Sequence, residues 1–185
     1  LVHRAMMVAW SELGVAPPSG LRLDCTNEVP HGRGMGSSAT AIVTGIVAAQ
    51  ALADVSDGSG AGDVEGDLDL DLDFANSLAS RPEGHPGHAS ASVHGGFTLS
   101  WSDDEQATTT TVHLPVHPDV VPVVFAPEVQ LSTAKARSVL PQQVRLADAA
   151  ANSARAALLA HAVGAAPEHL LAATREWLHQ EARRP

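Results

Sequence analysis

Tyrosine is absent from this 185-residue sequence, and aromatic residues together make up 3% of it. So few rings exclude a base-stacking platform for single strands and leave Ala, Val and Leu to build the core. Lysine occurs once, at Lys135, and the formal net charge is −10. Without a basic stripe there is no electrostatic footprint for a phosphate backbone, so nucleic acid is excluded as a partner. Cysteine also occurs once, at Cys25. That excludes a disulfide framework and a cysteine-based zinc site, and it fits a reducing cytoplasm. No apolar run approaches the ~20 residues a bilayer requires, and no basic segment followed by an apolar one opens the chain. Neither a membrane span nor a secretory leader is expected.

What is present is globular in character, 44% hydrophobic and 17% charged. The length suits one domain with a sizeable core or two small ones. Residue 1 is Leu, the first segment reads as helix from its start, and Arg184-Pro185 leaves straight out of another helical pattern. The sequence therefore reads as an internal piece of a longer protein.

Periodicity organises the rest. Val2, Met6, Ala9, Trp10 and Leu13 share one helical face, ended by Gly14 and Pro17-Pro18. Met6 and Met7 are read as core. Leu21, Leu23, Cys25 and Val29 mostly alternate with charged residues, which predicts a half-buried strand. A glycine turn, Pro30 to Ser38, opens into an Ala/Val/Ile-rich helix over 39–53. Residues 54–66 read as a polar loop. The aspartate-rich stretch that follows reads as the start of a helix over 67–79, because facing aspartates would weaken a strand pair. A loop is expected over 81–88, strands over 93–101, 108–114 and 120–126, and helices over 132–139, 144–163 and 167–184. The fold class is α+β.

The glycine turn is the segment richest in chemistry. Glycines at 32, 34 and 36 admit positive φ and close approach to a ligand, and a helix N-terminus adds amides and a favourable dipole for an anion. A P-loop is excluded because no Gly-Lys-Ser/Thr follows. Gly34-x-Gly36-x-x-Ala39 formally matches a dinucleotide fingerprint. The preceding strand is not a central apolar one, however, and no acid-tipped strand follows about twenty residues on. A different ATP-phosphate loop is left.

Pro30-x-Gly-Arg-Gly-Met-Gly-Ser-Ser-Ala39 resembles the central motif of the GHMP kinases, in which Pro-x-x-x-Gly-Leu-Gly-Ser-Ser-Ala wraps the ATP phosphates. Glu83-Gly84-His85-Pro86 before Gly95-Gly96 resembles the Glu-Gly-His-Pro-Asp-Asn stretch of the homoserine kinase branch. Leu131-Ser132-Thr133-Ala134-x-Ala136-Arg137 with Leu140-Pro141, and the terminal Leu178-His179-Gln180-x-x-Arg183, are similar to further segments of that branch. The motifs follow in the family's order across essentially the whole chain.

The resemblance implies a GHMP-kinase-like two-domain architecture, incomplete at both ends. Residues 1–115 would be part of the ATP-binding N-terminal domain and 116–185 the start of the C-terminal domain. It implies transfer of the ATP γ-phosphoryl group to the side-chain hydroxyl of L-homoserine, in threonine biosynthesis, with Mg²⁺. Pro30, His31, Gly32, Arg33, Gly34, Met35, Gly36, Ser37, Ser38 and Ala39 would hold the nucleotide, and Ser38 and Glu83 the Mg²⁺. His85, Arg137 and Arg183 would hold homoserine, the guanidiniums matching its carboxylate. Arg137 would act in catalysis, and His88, although not a family residue, is read from its own chemistry as a second catalytic candidate, able to act as a general base when neutral. A cytoplasmic enzyme follows, and a homodimer is compatible with it. The 185-residue piece by itself is expected to be inactive.

This sequence departs from the pattern in one informative place. Gly87-His88 stands where the family has Asp-Asn, and the Asn is the residue expected near the attacking hydroxyl. A catalytically silent nucleotide-binding member, or a kinase for another small alcohol, is therefore the alternative. Glu83, His85 and His88, with His94 nearby, also invite a zinc reading; proline and glycine within that spacing argue against a helical zinc-protease arrangement. The aspartates over 57–73 lack the glycine and glutamate of a calcium loop.

Overall fold

A computed structural model describes residues 1–56, 70–103, 107–126, 128 and 133–184. The chain forms two compact units, residues 1–31 with 35–112, and 32–34 with 113–185.

The first unit begins with α1 (Val2–Leu13), closed by Gly14 at φ 69°. Helix α2 (Ser37–Ser56) runs 20 residues and packs on α1. Met6 and Trp10 of α1 meet Ile42, Val43 and Ile46 of α2 in the core, and the Trp10 indole N–H donates to the Ala49 carbonyl at 3.0 Å. Gly45 sets the crossing: a Cβ there would lie 2.5 Å from the Val2 carbonyl oxygen. The core is thus largely alanine, with Trp10, Met6 and two isoleucines supplying the bulk. The expected reliance on Val and Leu is corrected, since Val43 and Leu78 are their buried representatives among the described residues. Met6 is fully buried, but Met7 is 41% exposed.

Ser37–Asp54 is long and apolar enough, by length and composition, to cross a membrane. That corrects the reading of the apolar runs. About 33% of that segment is buried in the structure, with Ile42, Val43 and Ile46 packed on α1.

Helix α3 (Leu72–Ser80) starts at Asp71, whose carboxylate accepts the Phe74 amide at 2.8 Å. Gln50 clamps that start to α2 by accepting the Asp71 amide and donating to its carbonyl. The helix expected over 67–79 is therefore present from Leu72; residues 57–69 lie outside the described ones. The expected loop over 81–88 is a 3-10 turn, Arg81–Glu83, then Gly84 at φ 68°, then α4 (Gly87–His94). The strand expected from residue 93 begins only at 97, because Ala89 and Ser90 are drawn into the core as helix.

Strands β1 (Phe97–Asp103) and β2 (Thr108–Leu114) form a two-stranded sheet. Side chains pair Ser100 with Thr111 and Ser102 with Thr109, an antiparallel register. Asn76, fully buried on α3, ties three elements together. Its amide donates to Thr111 Oγ1 and its side-chain oxygen accepts from Ser90 Oγ, both at 2.8 Å. The strand expected over 21–29 is not formed. Alternation needs a ladder partner, and β1 and β2 pair only with each other among the described residues. The same holds for 120–126, where Val121, Val123, Val124 and Phe125 stand exposed.

The second unit holds α5 (Thr133–Ser138), α6 (Leu146–Gly164), a 3-10 turn at Pro167–His169 and α7 (Leu170–Ala173). Arg145 and Asp148 brace the start of α6 with a forked pair at 2.9 and 2.7 Å, which holds the Asp148 carboxyl below its ordinary value. The helix expected over 167–184 breaks after Ala173. From there Glu176 takes the amides of Leu178, His179 and Gln180 with its side chain, a local alternative to the helical ladder.

Candidate functional site

The loop into α2 has the positive-φ backbone its glycines predict. Gly32, Gly34 and Gly36 sit at φ 68°, 72° and 75°. Gly36 is constrained twice, because a Cβ there would also lie 3.4 Å from Cβ and Cγ of His88. Its carbonyl accepts the Thr40 amide and hydroxyl at 2.8 and 3.1 Å, fixing the first turn of α2. Asn27 steadies the approach by donating to the Val29 carbonyl and the Ser37 hydroxyl. Ser38 lies exposed on that first turn. Arg33 carries a buried Nε with no hydrogen-bond partner among the described residues. The amides of a helix's first turn and the Ser37 and Ser38 hydroxyls are donors suited to a polyphosphate.

The second motif folds against the first. Helix α4 starts beside α2, with Thr40 and Ser92 hydroxyls 3.2 Å apart and His88 against Gly36. Glu83, on the 3-10 turn, has a side chain only 13% exposed and its Oε2 lies 3.5 Å from His88 Nδ1. The His85 and His88 rings meet edge to face, 5.5 Å between centroids. The structure thus gathers Gly36, Glu83, His85 and His88 from two segments about fifty residues apart in sequence. A carboxylate and a hydroxyl are the oxygen donors Mg²⁺ takes, so Glu83 and Ser38 fit that ion chemically.

Arg137 and Arg183 belong to the second unit. Arg137 lies on α5, and Arg183 Nε donates to the Ala136 carbonyl at 3.2 Å, so these two sequence segments meet. Sequence reasoning missed the residues that fix α4, namely Asn76, Ser90 and Thr40-Ser92. Their polarity at helix-core spacing was the available signal.

Residues 1–96 match the family described as "GHMP kinases N terminal domain". The chain belongs to the GHMP kinase family. It is similar to the homoserine kinase of Streptomyces avermitilis, 43% identical over 185 residues, covering 100% of this chain and 56% of that protein. Similarity to the Mycobacterium tuberculosis homoserine kinase is 40% over 185 residues, covering 99% of this chain and 55% of that protein. The crystal structure of homoserine kinase from Cytophaga hutchinsonii shares the fold, with a TM-score of 0.73 at 22% identity, over 98% of this chain and 54% of that one. The α+β, GHMP-kinase-like architecture expected from sequence is borne out. The chain spans about half the length of the curated relatives it matches.

Proposed function

We propose that these residues are the central part of an ATP-dependent homoserine kinase, which phosphorylates the side-chain hydroxyl of L-homoserine in threonine biosynthesis. The observation that carries this reading is the packing of His88 against Gly36, which sets the Glu83-Gly84-His85-Pro86 motif beside the phosphate-type loop. Similarity to homoserine kinases along the whole chain supports the choice of acceptor.

In this reading, residues 1–115 are part of the nucleotide domain and 116–185 begin the C-terminal domain. Pro30 to Ala39 hold the phosphates through backbone amides and the Ser37 and Ser38 hydroxyls. Ser38 and Glu83 hold Mg²⁺, which supplies charge neutralisation on the transferring phosphoryl group. His85, Arg137 and Arg183 bind the amino acid, the arginines its carboxylate. Phosphoryl transfer depends mainly on alignment and charge stabilisation, so positioning of the hydroxyl by His88 and Arg137 is what these side chains contribute. A cytoplasmic setting and a homodimer belong to the same proposal.

One observation favours a second reading. Gly87-His88 replaces the Asp-Asn of the family pattern, which points to a silent nucleotide-binding member. The full-length protein should be assayed with ATP, Mg²⁺ and, separately, homoserine, mevalonate and galactose. Phosphohomoserine as the product supports the kinase. Phosphorylation of another alcohol redirects the substrate, and nucleotide binding without any product supports the silent member.

A further inference from the structure

We propose that Glu83, His85 and His88 form a binding site for a borderline divalent transition-metal ion of the zinc, cobalt or nickel class. One donor atom from each of the three side chains lies within 4.8 Å of the other two. Two imidazoles and one carboxylate suit such ions, whereas Mg²⁺ prefers oxygen donors throughout. Three protein ligands with a further position open is an established zinc arrangement.

Local backbone explains why a cluster forms without helical spacing. The 3-10 turn ends at Glu83, Gly84 reverses the chain at φ 68°, and Pro86 caps α4, so residues 83, 85 and 88 converge. The proline and glycine that exclude a helical zinc motif are the residues that build this turn. At Gly87 even a Cβ would stand 4.0 Å from His85 Nδ1, so that nitrogen is not crowded from this side.

Donors around a tetrahedral ion with bonds of about 2.0–2.1 Å sit roughly 3.3 Å apart. His88 Nδ1 and Glu83 Oε2 are already 3.5 Å apart. With all donors within 4.8 Å, no pair need close by more than about 1.5 Å. Side-chain rotation can supply this, because His88 is 45% exposed and its ring lies at 73° to that of His85 rather than stacked on it. The backbone of α4 is held meanwhile by Ser90 and Ser92. The positive end of the α4 dipole opposes a cation at His88, and the Glu83 carboxylate offsets it. An ion bound here withdraws Glu83 and His85 from the proposed kinase site, so it acts as an inhibitor.

The test uses the full-length protein titrated with Co²⁺ in millimolar Mg²⁺, without nucleotide. One Co²⁺ per chain is expected to bind, with the His85 and His88 imidazole NMR signals broadening before those of the other histidines. His85→Gln and His88→Asn should each weaken binding at least about 10-fold. His3→Gln, on α1, should leave it unchanged. The site is overturned if other histidines broaden first, if Mg²⁺ displaces the ion, or if both variants bind as the wild type does. The NMR readout needs no variant, so misfolding of either one leaves the test intact. Loss of Co²⁺ binding beside intact phosphohomoserine production would remove this site and leave the kinase reading standing.

Discussion

The two units are held together by different means. In the first, Met6, Trp10 and Ile46 are each no more than 2% exposed, and α1 and α2 cross at the closeness Gly45 permits. In the second, the buried apolar side chains among the described residues are Ala162, Ala166 and Ala173, while Leu146 and Leu171 are 86% and 89% exposed. Its order comes instead from polar contacts. Glu176 gathers three amides, Asn152 accepts the Trp177 amide, and Arg183 reaches the Ala136 carbonyl. A packed core fixes backbone positions because small displacements forfeit many contacts at once. Hydrogen bonds at a wet surface fix less, each being worth about 1 kcal/mol net. The Glu83–His85–His88 turn and the Gly36–Ser38 start of α2 belong to the better-packed unit.

The contrast can be broken first by core truncation. Trp10→Ala removes a buried ring and the donor to Ala49, and should cost about 3–5 kcal/mol. Leu171→Ala, on a residue 89% exposed, should stay within about 0.5 kcal/mol. Denaturant titration of the full-length variants measures both, and equal losses would erase the distinction between the units.

Next in size are the proposed ion ligands. Ser38→Ala and Glu83→Gln in the full-length protein should each lower turnover about 100-fold or more, as loss of a single charge-stabilising group does elsewhere. Thermal midpoints should move by only a few degrees, about 1 kcal/mol or less. Wild-type rates across a Mg²⁺ titration would remove both residues from the site.

Gly45→Ala sharpens the packing argument because two effects oppose. Alanine gains about 1 kcal/mol in helix propensity. Its Cβ, however, would stand 2.5 Å from the Val2 carbonyl and 2.8 Å from Ala5 Cβ, so α1 must move. Overpacking of about 1–3 kcal/mol should win and lower stability. A stabilised variant would mean that α1 yields easily.

Much of this was legible in the sequence, and what was not has a common cause. Helix α1 declares itself by apolar spacing, and α2 and the Gly32–Gly34–Gly36 loop by composition, because these signals are local. The 21–29 and 120–126 segments alternate properly, yet strands depend on partners that periodicity does not reveal. Helix α4 was hidden because Ala89, Ser90 and Ser92 are small and weakly apolar. Its place is set by Asn76, Thr111 and Thr40 from elsewhere in the chain. At the site, the motif named Glu83 and His85, but His88 beside Gly36 is a tertiary fact.

The smallest effect concerns Glu176, where the second unit depends most on polar contacts. Its side chain is 22% exposed, and one oxygen lies 2.6 Å from His179 Nδ1. Burial by itself would raise this carboxyl. The amides of Gln180 and His179, the His179 imidazole and the Leu178 amide outweigh it and bring the pKa down from 4.5 to about 2. A folded-state value below the unfolded one means the carboxylate stabilises the fold above pH 4.5, and this is lost as pH falls toward about 2. Screening at a partly exposed site leaves about 1 kcal/mol at neutral pH. Glu176→Gln keeps the shape but not the charge. It should speed hydrogen exchange at the Leu178, His179 and Gln180 amides at pH 7, after correction for intrinsic rates. The difference from wild type should shrink steadily between pH 4.5 and 2. A pH-independent gap would show that the turn needs the side chain's shape and not its charge, and the polar account of the second unit would then fail at its strongest point.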